Sequence, residues 1–448
     1  MKMLRNIIYI LRIIAVCFIC RFFINSHNRG VYLAKSLEKL GPSFIKFGQA
    51  LSVRPDIIGE EIANSLSSLQ DRLSPFPTLK AIRIIEKELK VPLEQIFLQF
   101  EGEAVAAASI AQVHKAVTIK GDVVAVKVLR PKIENQFKND ISLFYFIAGC
   151  INLFPSYKRL RTREVVDVFA DTVKKELDLR MEAASASELY INCKNDKFFH
   201  VPKVFWEYTA RKVMVLEWVD GIPINDKERL ENEGHNIKEI SEYLAISFLN
   251  QAFRDGFFHA DIHPGNLFVD KNSNIVPVDF GIMGRLDKDT RIYVARILKG
   301  FVTGDYMQVA KVHFDAGYVA KDKSIYDFAL ACRAIGEPIM GLPANQVSIA
   351  RLLGLLFKIT EDFDMQTQPQ LLLLQKTMVQ IEGVGQQLYP EVNMWQMAEG
   401  WINSWVKRNL SFEGHLKAGL KDLFSVLKNL PERLKQIDEI LERMSVDK

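Results

Sequence analysis

The chain has 448 residues, 48% of them hydrophobic and 25% charged, with a formal net charge of +4. That composition excludes a disordered chain, and so weak a positive balance gives no footing for nucleic-acid binding. Five cysteines, Cys17, Cys20, Cys150, Cys193 and Cys332, form no disulfide framework, so a reducing compartment is expected.

Residues 1–50 hold eight Lys or Arg against one acid, Glu38, an asymmetry that points to an anionic surface. The stretch "IIYILRIIAVCFICRFFIN" (7–25) is apolar but is cut by Arg12 and Arg21. Its uninterrupted run, Ile13–Cys20, falls short of the roughly 18–20 residues of a membrane span, and no small-residue cleavage site follows. A helix lying in the lipid interface, with its arginines reaching phosphates, fits best. A terminal helix packed on its own protein is the alternative. Cys17-x-x-Cys20 has no second pair and sits in this apolar run, which argues against a metal or redox role.

"LGPSFIKFGQALSVRPDIIG" (40–59) reads as a short helix starting at Pro42 and ended by Pro55. Lys46 and Gln49 share a face, and Gly48 between them is costly unless something approaches the backbone closely. From Phe97 to Leu129 the pattern becomes β-type, with "VVAVKVL" (123–129) as a strand carrying Lys127 in its middle. The preceding "AVAAASIAQVH" (104–114) reads as a loop or an alanine-rich helical turn. Residues 132–152 and 163–192 read as helices, the second with a buried stripe of Val165, Phe169, Val173, Leu177 and Met181. Asp178 and Glu182, four apart on it, are expected to share a face, either with a cation nearby to relieve their repulsion or as part of a solvated acidic face.

"KVMVLEWVDG" (212–221) reads as a strand entering a turn, and 236–256 as a helix. "FFHADIHPGNLFV" (257–269) follows, and "NLFVDKNSNIVPVDFG" (266–281) is a hairpin around the turn 271–274. Beyond Leu286 the periodicity is helical nearly to the end, and no internal repeat is present.

His259, Asp261 and His263 alternate as three metal ligands on a strand would. Pro264 and Gly265 argue for a loop instead, and a metal hydrolase leaves Asn266 and Asp279-Phe280-Gly281 without purpose. Phosphoryl transfer uses all of them. The kinase catalytic loop H-R-D-L-x-x-x-N sets Asn five residues after Asp, as Asn266 follows Asp261. On this reading Asp261 handles the acceptor's proton, while Asn266 and Asp279 offer the oxygen ligands that Mg2+ prefers. Lys127, steadied by Glu182, contacts the phosphates of ATP. Three features depart from protein kinases, the first being the 55 residues between Lys127 and Glu182, which leave room for an extra helix between strand and paired glutamate. Alanine amides replace the glycine-rich loop, and Ala260 stands where kinases place arginine, so control by a phosphorylated activation loop is not expected.

With these motifs the chain resembles the UbiB family of atypical kinase-like proteins, which support ubiquinone biosynthesis. The resemblance runs over about residues 30–400 and rests on K-x-G-Q (Lys46, Phe47, Gly48, Gln49), on E-x-D (Glu176, Asp178) and on the alanine-rich loop. It implies an α+β, two-lobed protein-kinase-like fold with an N-terminal helical KxGQ extension. The implied divisions are a membrane-associated helix (1–25), the extension (26–96), an N-lobe (97–218), a C-lobe (219–400) and an amphipathic helical tail (401–448). In the implied site ATP lies against Ala106, Ala107, Ala108, Ser109, Ile110, Ala111, Val113, Lys127, Glu217 and Val219. Lys46 and Gln49 lie over it as regulatory residues, near Glu176 and Asp178, where a protein substrate would otherwise sit.

The resemblance therefore implies ATP hydrolysis or phosphorylation of a small or lipid-like molecule. Its implied partners are membrane lipids, polyprenyl-phenol quinone precursors and other ubiquinone-biosynthesis enzymes, with a homodimer compatible. The implied place is the cytoplasmic face of the cell inner membrane, or the matrix face of the mitochondrial one. Members are also labelled 2-polyprenylphenol 6-hydroxylase, but no flavin-type G-x-G-x-x-G follows a strand here. Many bacterial members end in two hydrophobic spans, whereas "LKNLPERLKQIDEILERM" (427–444) is charged and amphipathic. A nucleotide-binding scaffold without turnover is the competing expectation.

Overall fold

The computed structural model describes residues 29–52, 58–67, 69, 73–153, 162–340, most of 352–391 and a few positions at 400–405. The apolar stretch 7–25 with Cys17 and Cys20, Pro55, and the tail 427–444 lie outside the described residues. Two compact units are distinguished, one drawn from 1–287 and 349–392, the other from 288–348 and 393–448.

The first unit opens with three short helices, α1 (Arg29–Leu40), α2 (Pro42–Ser52) and α3 (Glu60–Ser67). Gly41, at φ +108°, makes the sharp turn between α1 and α2, a backbone region that only glycine enters without strain. Ala34, Ile45, Leu66 and Leu69 form their shared core. Gly48 sits where a Cβ would come within 2.4 Å of Leu69 Cδ1 and 2.8 Å of Leu37 Cδ1. The close approach anticipated at Gly48 is thus made by two leucines.

Helix α4 (Thr78–Leu89) covers one face of an antiparallel sheet ordered β1-β3-β4-β5, with β2 paired to β3. The strands are β1 (Phe97–Phe100), β2 (Ala106–Ala107), β3 (Ala111–Thr118), β4 (Val123–Leu129) and β5 (Val213–Glu217). Val124, Val126 and Val128 alternate into the core with Ala81 and Ile85 of α4. Strand period therefore turns Ala125 and Lys127 to the opposite face. The alanine-rich stretch is a strand and tight turn, not a helical turn: Ala106 pairs with Val113, and Ala108 N–H donates to Ala111 C=O at 2.8 Å.

Between β4 and β5 lie α5 (Ile133–Asn152), α6 (Thr162–Glu176) and α7 (Leu179–Cys193). The expected single helix over 163–192 is broken at Leu177–Asp178. Asp178 is extended and caps α7, accepting from Arg180 N–H, while Leu179 N–H donates to Arg211 C=O beside β5. Asp178 and Glu182 consequently do not share a helix face. The four-residue stripe holds through Phe169, Val173 and Leu177, all buried, and fails at Met181, which is 51% exposed. Helices α5 and α6 also fasten α2. Phe47 stacks on Phe144 at 4.6 Å and meets Phe169 edge-on at 5.1 Å, and Ser43 Oγ donates to buried Asp140 at 2.7 Å.

The rest of the unit begins with β6 (Gly221–Pro223), α8 (Lys227–Asn232) and α9 (Ile237–Leu249), which runs into a π-helical turn at Asn250–Asp255. Strands β7 (Phe257–His259), β8 (Leu267–Asp270), β9 (Ile275–Pro277) and β10 (Met283–Arg285) follow. They form a sheet ordered β6-β8-β9 and a separate β7-β10 pair, so the hairpin expected around 271–274 is the β8-β9 turn.

The second unit contributes α10 (Lys288–Val302), α11 (Tyr306–Asp315) and α12 (Ile325–Met340), packed through rings such as His313 and Phe328, 5.0 Å apart. In the first unit, α13 (Pro369–Leu388) packs against α9 and beside β10. Among the described residues no helix is long and apolar enough to cross a membrane.

Candidate active site

Lys127 is the centre of the arrangement. Its Nζ lies 2.6 Å from Glu182 Oε1, delivered by the first turn of α7, and 3.6 Å from Asp279 Oδ2. The Lys127 and Glu182 side chains are 15% and 9% exposed, so the pair is largely desolvated. Burial opposes the ammonium, but Asp279 and Glu182 outweigh it and raise the lysine above its ordinary value. Burial pushes the Glu182 carboxyl up, with the Asp279 charge adding to it, while Lys127 and the Phe280 N–H oppose.

Asp279 begins the D-F-G segment, and its Oδ1 accepts from Gly281 N–H at 2.9 Å. Burial raises this carboxyl too, yet Lys127, that N–H and the charge of Lys46 hold it at about 2. It is a permanent anion whose side chain is still 46% exposed, open to a cation from solvent.

His259 ties Asp279 to the catalytic loop. Its Nδ1 accepts from Asp261 N–H at 3.2 Å and its Nε2 bonds the Asp279 carbonyl, which fixes Nε2 as the protonated nitrogen. Burial lowers its pKa, so the ring is a neutral strut. Both nitrogens are occupied and hence not ligands. His263 is exposed and caps the turn at Pro264–Asn266, accepting from Gly265 N–H at 3.1 Å. The loop reading therefore stands over the strand of three ligands, and among the described residues no cluster of three His, Cys, Asp or Glu could hold a metal.

Asn266 Nδ2 donates to Asp261 Oδ2 at 3.1 Å and to its carbonyl at 3.3 Å. The amide oxygen of Asn266 and the carboxylate of Asp279 are hard donors of the kind Mg2+ takes while keeping several waters, so the donor chemistry fits that ion. At the sheet, Val113 is the cross-strand partner of Lys127 on β3. The turn at Ala108–Ile110 is held from outside by Arg130, whose Nε donates to Ala108 C=O at 2.9 Å. Ser109 at its tip is fully buried, and its Oγ has no hydrogen-bond partner. A buried unsatisfied hydroxyl is costly, and a phosphate oxygen is a fitting partner.

Other expected residues lie differently. The Glu217 carboxylate turns to His200 (3.3 Å) and Lys203 N–H (3.1 Å), leaving its backbone, at the end of β5, and half-buried Val219 beyond it as the parts able to line a nucleotide site. Lys46 pairs with Glu176 at 3.6 Å, and its charge is felt at both Lys127 and Asp279. The other two motif residues are engaged elsewhere: Gln49 Nε2 donates to Leu69 C=O at 3.2 Å, and Asp178 is bound by the Arg180 guanidinium at 2.6 and 2.8 Å. Lys376 and Gln380 of α13 stand 4.0 and 3.4 Å from Asp261 Oδ1 and were not anticipated. Their i, i+4 spacing, which sets the helix's single basic residue and a glutamine on one face, was the available signal.

Residues 68–313 match the ABC1 atypical kinase-like domain and residues 332–393 the UbiB helical domain. Curated relatives include the "Probable protein kinase UbiB" of Marinobacter nauticus, 42% identical over 419 residues, covering 92% of this chain and 77% of that protein. The protein of the same name from Azotobacter vinelandii is 38% identical over 422 residues, 93% of this chain and 78% of that one. Among solved structures, Mycobacterium tuberculosis Rv3197, determined in complex with erythromycin, aligns with a TM-score of 0.55 at 24% identity. That alignment covers 79% of this chain and 90% of Rv3197, a likeness of fold.

Proposed function

The chain belongs to the ABC1/UbiB family of atypical kinase-like proteins, and from that premise we propose that it is a membrane-associated, Mg2+-dependent ATPase or atypical kinase serving ubiquinone biosynthesis. The observation that carries the reading is the convergence of four separate segments. β4 brings Lys127, α7 Glu182, the D-F-G segment Asp279, and the catalytic loop Asp261 and Asn266, joined by direct or single-residue contacts.

Lys127, held by Glu182, binds the α- and β-phosphates of ATP, and the Ala106–Ala111 turn lies along them. Asn266 and Asp279 would hold magnesium, which when bound neutralises charge on the β- and γ-phosphates. Asp261 orients the attacking hydroxyl or water and receives its proton. His259 fixes the loop to the D-F-G carbonyl, so the two halves of the site keep their spacing.

The acceptor is a small or lipid-like molecule, such as a polyprenyl-phenol. Supporting this, α2 is bolted to α5 and α6 by Phe47 and Ser43, with Lys46 near the Lys127–Asp279 pair. Membrane association draws on the basic, apolar N-terminal stretch. The same anchoring of α2 favours a second reading, a nucleotide-binding scaffold without turnover. Asp261→Asn with intact nucleotide binding separates the two, because a scaffold would still support quinone synthesis in cells.

The direct test is ATP hydrolysis by the purified full chain with magnesium. Asp279→Asn is expected to lower the rate at least about 100-fold, the scale of losing one transition-state charge contact. Equal rates would refute the reading.

A further inference from the structure

The loop around Asp261, residues 257–269, carries no Lys or Arg. Lys127 is paired with Glu182 and Asp279 and serves the α- and β-phosphates on the reading above. Position 263, two residues beyond Asp261, is a histidine whose Nδ1 is taken by Gly265 N–H. Phosphoryl transfer nonetheless spreads negative charge over the equatorial oxygens of the moving group, and enzymes meet it with a cation placed in advance.

Such a cation arrives from α13. This helix packs beside β10, the antiparallel partner of β7, whose last residue His259 lies just before the loop. Lys376 and Gln380, one turn apart, thereby reach the same oxygen. Lys376 Nζ stands 4.0 Å and Gln380 Nε2 3.4 Å from Asp261 Oδ1, while Asn266 donates to Oδ2. At 4.0 Å the ammonium is beside the carboxylate without closing the bond of about 2.7–2.9 Å typical of a tight ion pair. An oxygen of a third group fits within its reach. Gln380 Oε1 is buried without a hydrogen-bond partner, so the pair presents a cation and an unsatisfied acceptor next to the group that takes the proton.

We infer that Lys376 is a catalytic residue that contacts the transferring phosphoryl group from the acceptor side, with Gln380 positioning Asp261. The inference rests on the nucleotide reading above and adds to it a residue from the helical domain that follows the kinase-like one. In the step, the acceptor oxygen bonds to the γ-phosphorus as the bond to the β,γ-bridging oxygen breaks. The electron pair leaves with ADP, the acceptor's proton passes to Asp261, and Lys376 stays protonated throughout. α13 thus closes the site, and its displacement would stop turnover while leaving the phosphate-binding residues in place.

The test uses the full chain, reading kcat and KM for ATP together with ADP affinity by titration and melting temperature. Lys376→Met is expected to lower kcat at least about 100-fold with ADP affinity within about threefold of the parent. Lys376→Arg is expected to recover kcat to within about tenfold of the parent, because it restores the charge. Gln380→Leu lowers kcat less. A Lys376→Met chain with kcat within threefold of the parent overturns the inference. So does a kcat loss accompanied by equal losses of ADP affinity and melting temperature that arginine does not restore. If Lys376→Met fails to fold, Lys376→Gln is read by the same criteria. A parent chain that hydrolyses ATP no faster than Asp279→Asn sinks the nucleotide reading and this inference with it. An active parent beside an equally active Lys376→Met sinks this inference alone.

Discussion

Replacing Glu182 by glutamine keeps its volume and an acceptor for the Phe280 N–H but removes the charge facing Lys127 at 2.6 Å. Removing one partner of a desolvated ion pair costs about 3–5 kcal/mol when the survivor is left without a counter-charge. Lys127 is not so stranded. Asp279 Oδ2 remains 3.6 Å away, and the new amide oxygen still accepts a hydrogen bond. The expected loss is therefore about 2 kcal/mol, near half the full cost, or roughly 3 °C in melting temperature for a unit of this size. The decisive form is a cycle with Lys127→Met, using urea unfolding of both single variants and the double. With both charges gone the double variant loses less than the sum, with a coupling of at least about 1 kcal/mol. Strictly additive losses, or a Glu182→Gln chain as stable as the parent, would refute the claim that this pair is a desolvated, mutually dependent unit.

Phe47→Ala removes the one ring that stacks at 4.6 Å on Phe144 and lies 5.1 Å from Phe169, and should cost about 3 kcal/mol; hydrogen exchange should then show α2 opening ahead of the sheet. His200→Gln tests a pH-dependent contact. The hydrogen bond that His200 donates to the Glu217 carboxylate raises His200 above 6.5, and the same bond lowers Glu217 below 4.5. The histidine's contribution is complete below 6.5 and lost as pH rises through its folded value, while the glutamate's is present above 4.5 and lost on acidification. The melting-temperature gap between parent and variant should thus peak between those values and close as pH rises through the folded value of the histidine; a gap that goes on widening as pH rises above 6.5 contradicts it. Arg130→Ala frees the Ala108 and Ser74 carbonyls from their donor, and should weaken ATP binding about tenfold, one to two charge-assisted hydrogen bonds' worth of loop order, as read by titration.

The arrangement of residues 259–281 was legible in the sequence because its spacing is local. Five residues separate Asp261 from Asn266, and one hairpin separates that loop from Asp279. Lys127 was legible as an anomaly, a charge within a β-branched run whose period turns it from the valine core. The break at Asp178 was hidden because the apolar spacing of α6 runs on through Leu177, and the start of α7 is fixed by the Asp178 cap together with the bond from Leu179 N–H to Arg211, a strand-entry residue distant in sequence. Gly48 announced a close approach without saying that leucines make it. Gln380 reaches Asp261 across 119 residues, a juxtaposition that periodicity cannot express. The fates of Gln49 and Asp178 were equally closed to it, since each motif fixes a residue type and not the partner its side chain takes.

The central claim is that Asp279 and Asn266 join magnesium to a nucleotide gripped by Lys127. Calorimetric titration of the full chain with ATP, with and without magnesium, in the parent and in Asp279→Asn, tests it most directly. The account predicts one site, tightened at least about tenfold by magnesium in the parent, or 1.4 kcal/mol, with that gain absent in the variant. ATP binding indifferent both to magnesium and to the carboxylate at 279 would contradict it.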